Sequence, residues 1–277
     1  MANIQPQVTG LTQLRAVSYL APNWFNFYET VLAYLGRVLG VKTQLHQGEC
    51  DPLEDPILLK DQLDLAFICG LPLIRYCQVV PHQLQALVAP VMYAPRYQNC
   101  PIYFADVIVN TASRLTSFDD LALKTFGYND PGSNSGYNLL RYRLFQDGYP
   151  KNFFRKAIQS GSHQRSIRWV VEGLVDCAAI DSIVLEQELH NFPELSEHLY
   201  IVEVLGPCPM PPLVVAQRLG VSVIQQLQLA LLKPDAELQA AMERMRVQRF
   251  AAVNLEEYSA LADTYNLCLK HGYEVIG

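Results

Sequence analysis

Hydrophobic positions along this chain follow two periods, a short one typical of strands and a 3.6-residue one typical of helices. The run 63–69 is apolar almost throughout and ends at Gly70, as buried parallel strands do. The predicted elements outside the middle of the chain are strands 14–20, 41–46 and 63–69 and helices 24–38, 55–62, 220–248 (one or two, with Pro234 and Asp235 as a start) and 255–270. This alternation predicts an α/β fold with open parallel sheets, in which ligands gather outside the carboxyl ends of the strands.

Two long apolar segments, 102–109 and 199–205, predict strands that cross between two lobes. The Gly-Pro-Cys-Pro run at 206–209 predicts the end of the second one. Closure of the lobes would then be hinge bending near residues 109 and 204. The predicted domains are a discontinuous lobe 1 of residues 1–109 and 205–277 and an inserted lobe 2 of residues 110–204.

Composition narrows the classes of function. The chain has 277 residues, half of them hydrophobic and 17% charged, so it can bury a substantial core. Its net charge of −6, with no basic run, argues against nucleic acid as a partner. The sequence has no apolar stretch of transmembrane length and no signal peptide at its start. We therefore expect a periplasmic or membrane-anchored protein if a leader was removed, and a cytoplasmic one otherwise.

Catalytic and metal-binding motifs are not found in the sequence. The seven cysteines form no CxxC pair, and the six histidines show no ligand spacing with them. GxSxG, HExxH and P-loop patterns are also missing. We expect no metal, no cofactor and no catalytic residue.

The richest candidate chemistry lies in residues 130–137, Asp-Pro-Gly-Ser-Asn-Ser-Gly-Tyr, between a predicted strand (124–128) and a predicted helix (137–144). Free N–H groups and the dipole at a helix start favour an anion there. The side chains of Ser133, Asn134 and Ser135 add donors that suit a tetrahedral oxyanion. The same residue types are also the usual N-caps, so an ordinary capped turn is the alternative.

Three segments resemble the substrate-binding proteins of phosphate, phosphite and phosphonate ABC transporters. The first is DLAFICGLPLIRY at 64–76, and the second is SFDDLALKTFGYNDPGSNSG at 117–136. The third is GSHQ at 161–164 with VEGLVDCAAIDS at 171–182. They match the family's patterns in order and spacing over roughly residues 60–210. The resemblance implies a two-lobe clamp of the type II periplasmic-binding-protein fold, with open mixed sheets and the ligand between its lobes.

The resemblance also implies roles for individual residues. Ser133, Asn134, Ser135 and Gly136 correspond to the loop that holds the oxyanion, although the family usually has Thr where this chain has Asn134. His163 corresponds to a histidine that contacts the ligand, Asp181 to an acid that meets the ligand's amine or hydroxyl, and Tyr103 to an aromatic wall.

Each of these residues has a plainer interpretation. His163 fits a surface loop, and Asp181 fits the N-cap of a helix that begins at Ser182. Most of the fifteen tyrosines are packing residues, and of seven candidates we select Tyr103 and Tyr19 as ligand contacts.

These observations predict a non-catalytic solute-binding protein that closes on a small oxyanion, phosphate-, phosphite- or phosphonate-like, for ABC-type uptake or sensing. We expect a monomer, and the permease of an ABC transporter as a partner. The alternatives are a cytoplasmic enzyme of the same fold that acts on a small aromatic or heterocyclic precursor, and a ligand-sensing module.

Overall fold

The computed structural model of the chain describes residues 10–276. Its strands are β1 (Gln13–Ser18), β2 (Lys42–Gln47), β3 (Leu65–Phe67), β4 (Leu84–Met92), β5 (Ile102–Asn110), β6 (Thr125–Tyr128), β7 (Lys156–Gln159), β8 (Cys177–Asp181), β9 (Leu199–Pro209), β10 (Leu213–Ala216) and β11 (Val247–Ala252). Its α-helices are α1 (Phe25–Leu39), α2 (Pro56–Leu59), α3 (Gly70–Val79), α4 (Leu139–Gln146), α5 (His163–Val171), α6 (Ser182–Asn191), α7 (Val221–Leu232), α8 (Ala236–Arg244) and α9 (Ser259–Lys270).

The described residues divide into two compact units. Unit 1 comprises residues 10–69, Arg75–Pro101 and Met210–Glu256; unit 2 comprises Gly70–Ile74, Ile102–Pro209 and residues 257–276. The grouping places α9 in unit 2, where it packs on α4. The sequence-based domains instead assign all of 205–277 to lobe 1, and those boundaries stay a prediction.

Unit 1 is built on a six-stranded mixed sheet of order β11-β4-β10-β3-β1-β2. Strands β2 and β3 run parallel to β1, whereas β10 is antiparallel to both β3 and β4, and β11 is antiparallel to β4. Helix α1 buries Val31, Leu32 and Leu35 because these positions share one face at helical spacing. Trp24, just before this helix, is 1% exposed and belongs to the core.

Unit 2 is built on a five-stranded mixed sheet of order β7-β6-β8-β5-β9. Strand β6 is parallel to β7 and β8, whereas β5 is antiparallel to β8 and β9. Two separate apolar clusters flank it: one includes Phe126, Leu140 and Phe154, and the other includes Ile167 and Ile180. Helices α4 and α5 thus lie in different clusters, and each begins just beyond a strand of this sheet.

The α/β class with open mixed sheets is confirmed, but some sequence-based details are wrong. The sheets are mixed rather than parallel, because β10 in unit 1 and β5 in unit 2 each run antiparallel to both of their neighbours. Strand β9 continues through residues 206–209, with a cis peptide bond between Gly206 and Pro207, instead of ending there. Strand β4 was not predicted, and β11 begins at Val247, inside the predicted helical segment 220–248.

Candidate functional site

The Ser-Asn-Ser-Gly segment lies in unit 2, after β6, at the start of a helical segment. Residues Asn134–Asn138 form a π-helical turn that leads directly into α4. Asn134 and Ser135 are the first residues of this turn, so their N–H groups are among those that lack an acceptor within the helix. We call residues 133–136 the oxyanion turn.

The side chains of Ser133 and Asn138 hold the oxyanion turn in its conformation. Ser133 Oγ accepts a hydrogen bond from Gly136 N at 3.0 Å, which makes Ser133 an N-cap. The Asn138 amide donates to Pro131 O at 2.9 Å and to Ser133 O at 2.8 Å. Asn138 therefore fixes the loop that precedes the helix, a role that its position in an apolar helical pattern did not reveal.

Ser135 and His163 meet although 28 residues separate them in the sequence. Ser135 Oγ lies 3.2 Å from His163 Nε2, and His163 is the first residue of α5. Burial lowers the pKa of His163 to about 4, so the imidazole is neutral at pH 7 and carries one N–H. His163 is only 7% exposed, and its Nδ1 has no hydrogen-bond partner in the described part of the chain. The plainer interpretation of His163 as a surface-loop residue is therefore wrong.

Gly136 is required by the close approach of two neighbouring side chains. A Cβ atom at this position would lie 1.8 Å from Asn129 Oδ1 and 3.0 Å from His163 Cε1. Any side chain here would displace Asn129, whose buried Oδ1 also lacks a hydrogen-bond partner among the described residues. Asn129 Oδ1 and His163 Nδ1, both without a partner within residues 10–276, thus belong to side chains that lie close to the same glycine.

Asn134 is oriented by Tyr103. Its amide Nδ2 donates to Tyr103 Oη at 2.8 Å, and the two residues are 2% and 1% exposed. Tyr103 lies on β5, so the contact ties the oxyanion turn to an inner strand of the sheet. The longer amide therefore has a partner that a threonine hydroxyl at this position would reach less easily.

Asp181 ends β8 and caps α6, which is the structural role that the sequence offered as an alternative. Its Oδ1 accepts from Ile183 N at 3.0 Å. Burial raises its pKa to about 7, against the lowering effect of its backbone hydrogen bonds, and the neighbouring Asp106 raises it further. Asp106 is fully buried on β5 opposite Ile180, and sequence reasoning missed it. A lone acid within an otherwise apolar strand was the available signal.

Tyr19 is the predicted ligand contact that belongs to unit 1. Its hydroxyl donates to Asp55 Oδ2 at 2.6 Å, while Asp55 Oδ1 caps α2 through Ile57 N. Burial and the Asp55 carboxylate both raise the pKa of Tyr19, so its hydroxyl stays protonated. The other seven predicted residues, Tyr103, Ser133, Asn134, Ser135, Gly136, His163 and Asp181, all lie in unit 2.

The chemistry of the oxyanion turn is that of hydrogen-bond donors. Hydroxyl, amide and imidazole groups surround it, and residues 10–276 contain no cluster of His, Cys, Asp or Glu able to hold a metal ion. Across the same residues, every helix is too short or too polar to span a lipid bilayer.

Comparison with known families identifies one match. The family described as the periplasmic phosphonate substrate-binding protein of ABC transporters matches residues 18–258, most of the chain. No curated protein sequence matches.

Solved structures with the same fold include several binding proteins. A binding-protein component of an ABC phosphonate transporter from Pseudomonas aeruginosa superposes with a TM-score of 0.80 at 18% identity, covering 94% of this chain and 87% of that one. PhnD1 of Prochlorococcus marinus, in complex with methylphosphonate, gives 0.81 at 18% identity, with 94% and 99% covered. The alkanesulfonate-binding protein of Xanthomonas axonopodis pv. citri, bound to MOPS, gives 0.64 at 18% identity, with 96% of each chain covered.

Proposed function

The chain belongs to the family of periplasmic phosphonate substrate-binding proteins of ABC transporters, and we propose that its oxyanion turn binds a small phosphonate- or phosphate-like anion. The family consists of substrate-binding proteins that serve a transporter, not of enzymes, so the match favours binding over the enzymatic alternative. Methylphosphonate is the natural first ligand to test, because PhnD1 of Prochlorococcus marinus was solved in complex with it.

One observation carries the proposal: the Ser135–His163 pair at the start of a helical segment. Ser135 is 3% exposed and its Oγ lies 3.2 Å from His163 Nε2, while Nδ1 of the same ring has no hydrogen-bond partner within residues 10–276. Buried polar atoms without hydrogen bonds are costly, and they persist where a ligand can satisfy them. A hydroxyl, a neutral imidazole and the first N–H groups of a helix together suit the oxygens of a phosphonate.

Two further predicted residues of unit 2, Asn134 and Asp181, bear on the choice of ligand. We propose that Asn134, held by Tyr103, and Asp181, beside Asp106, determine which substituent on the phosphorus atom is accepted. We further propose that the protein acts as a monomer that presents the anion to the permease of its transporter.

Titration calorimetry with methylphosphonate and inorganic phosphate tests the proposal. Wild-type protein is expected to bind at least one of the two, and Ser135→Ala to weaken that binding by about 1–3 kcal/mol because a buried hydrogen bond is lost. Ser196→Ala is the matched control, since the Ser196 hydroxyl bonds only to Pro193 O on the surface of unit 2. Equal affinities in wild type and Ser135→Ala would remove the oxyanion turn from the binding site.

A further inference from the structure

Arg141, in the first turn of α4, is an unusual residue because its charge is buried. It is 2% exposed, and it is the one buried Lys or Arg among residues 10–276. Arginine is almost never fully buried in proteins unless a counter-charge accompanies it. A counter-charge is therefore expected close to the guanidinium of Arg141.

The contacts of Arg141 do not neutralise its charge. Nη1 donates to the backbone oxygen of Glu274 at 3.1 Å, and the guanidinium carbon lies 4.6 Å from the centre of the Tyr265 ring. The neutral thiol of Cys268 also interacts with the guanidinium, and Nε and Nη2 otherwise have no hydrogen-bond partner among residues 10–276. No carboxylate in the described part of the chain forms an ion pair with it. All of these contacts lie in unit 2 and involve its C-terminal segment.

Arg143, on the same helix, is an arginine whose charge is neutralised, and it serves as a comparison for Arg141. Arg143 forms ion pairs with Asp147 and, at 3.8 Å, with Glu203. Its side chain is 22% exposed, so water also screens it. Two arginines on one short helix thus differ in burial and in pairing, the two properties that determine how far a charge acts.

Arg141 lies four residues after Tyr137, on the same face of the helical segment that begins in the oxyanion turn. Side chains on a helix lean toward its N-terminus, and α4 continues directly from the turn of Asn134–Asn138. The guanidinium charge acts on Tyr137, the residue after Gly136, where it opposes the rise in the pKa of Tyr137 that burial causes. His163 contributes no charge at pH 7, and the other buried ionisable groups near the turn, Asp181 and Asp106, are acids.

We propose that Arg141 supplies the positive charge that balances the bound anion without touching it, and that it thereby sets a preference for dianions over monoanions. The inference rests on the proposed function, since it assumes that the oxyanion turn is the binding site. Arg141 follows Ser135 by six residues, about 9 Å along the helix axis. Two unit charges at about that separation, at an effective dielectric constant of about 20, change the affinity on the order of tenfold for each ligand charge.

The test compares two ligands of matched shape and different charge, methylphosphonate and methanesulfonate, at about pH 8.5. Methylphosphonate is then mainly a dianion and methanesulfonate a monoanion. In Arg141→Met, we expect the affinity for methylphosphonate to fall roughly a hundredfold and that for methanesulfonate roughly tenfold. Arg141→Lys should keep the wild-type ratio of the two affinities, and Arg143→Met is the control in which neither affinity changes.

The possible outcomes separate this inference from the proposed function. Wild-type protein that binds neither anion would overturn the proposed function and this inference with it. Wild-type binding combined with an unchanged affinity ratio in Arg141→Met would overturn this inference alone, because a merely structural arginine affects both ligands equally. If Arg141→Met does not fold, Arg141→Gln, which keeps a donor for Glu274 O, gives the same comparison.

Discussion

Two arginines, one in each unit, differ in their burial and in whether carboxylates pair with their charge. In unit 1, Arg218 Nη1 lies 2.7 Å from Asp64 Oδ1 and Arg218 Nε 3.3 Å from Asp61 Oδ1, so two carboxylates surround one guanidinium. In unit 2, Arg141 is more deeply buried and has no carboxylate partner among residues 10–276. A paired charge stabilises the fold locally, whereas an unpaired buried charge costs stability and leaves an electric field. The difference indicates that stability dominates at Arg218 and function at Arg141.

The largest expected effect is the pH dependence of Asp181→Asn. The pKa of Asp181 is about 7 in the folded protein and near 4 when unfolded. Between these values the unfolded chain releases the proton and the folded protein keeps it, so wild-type stability falls as pH rises from about 4 to 7. Asparagine still caps α6 without this penalty, so the variant should be more stable by about 2–4 kcal/mol at pH 8 and unchanged at pH 4.

Urea unfolding of the two proteins across this pH range measures the effect. Equal stability gains at pH 4 and pH 8 would show that the carboxyl does not titrate as its burial predicts.

Arg218→Met tests the stabilising half of the comparison. Asp64 is 5% exposed and would lose its ion-pair partner, so the free energy of unfolding should fall by about 1–3 kcal/mol. Arg141→Met is the counterpart, and without ligand it should be as stable as wild type or more stable. Denaturant titration of both variants gives the result, and a greater loss in Arg141→Met than in Arg218→Met would reverse the comparison.

Tyr103→Phe removes the acceptor of the buried Asn134 amide. We expect the free energy of unfolding to fall by about 1–2 kcal/mol. The affinity for methylphosphonate should fall as well, because Asn134 loses its orientation in the oxyanion turn. Thermal unfolding and calorimetry on the same preparation measure both quantities; a stability loss with full affinity would show that Asn134 is not part of the site.

The smallest effect is expected for Tyr19→Phe, which makes the same chemical change in unit 1. Asp55 loses one donor but keeps its bond to Ile57 N, so a loss of about 1 kcal/mol in unfolding free energy is expected. Calorimetry on this variant also decides whether Tyr19 contacts the ligand. A reduced affinity for methylphosphonate would support that assignment, and an unchanged one would exclude it.

Local pattern predicted the elements of the fold well where the pattern was periodic. Helix α1 and strand β5 lie within one or two residues of their predicted bounds, because a helical stripe and a continuous apolar run leave few alternatives. Strand β9 was cut short because Gly206 and Pro207 are usual strand breakers, yet pairing with β5 carries the strand to Pro209. Strand β4 was missed although it joins β10 and β11 in the sheet of unit 1.

The residues of the candidate site also fall into two groups, those whose role the local sequence predicts and those whose role it does not. The turn after β6 and the cap at Asp181 could be recognised from residue types alone, because capping depends on the nearest few residues. The burial of His163 and the roles of Asp106 and Arg141 could not, because each depends on groups far away in the sequence.

By itself, the sequence determined the α/β class, the position of the oxyanion turn at a strand–helix junction and the resemblance to a family of binding proteins. Only the tertiary structure decided that Ser135 lies 3.2 Å from His163, that Asn134 bonds to Tyr103, and that Arg218 has carboxylate partners while Arg141 has none among residues 10–276. The physical reason is that local conformation follows from neighbouring residues. Hydrogen-bond and charge partners instead depend on which strand ends and helices the order of the sheets brings side by side.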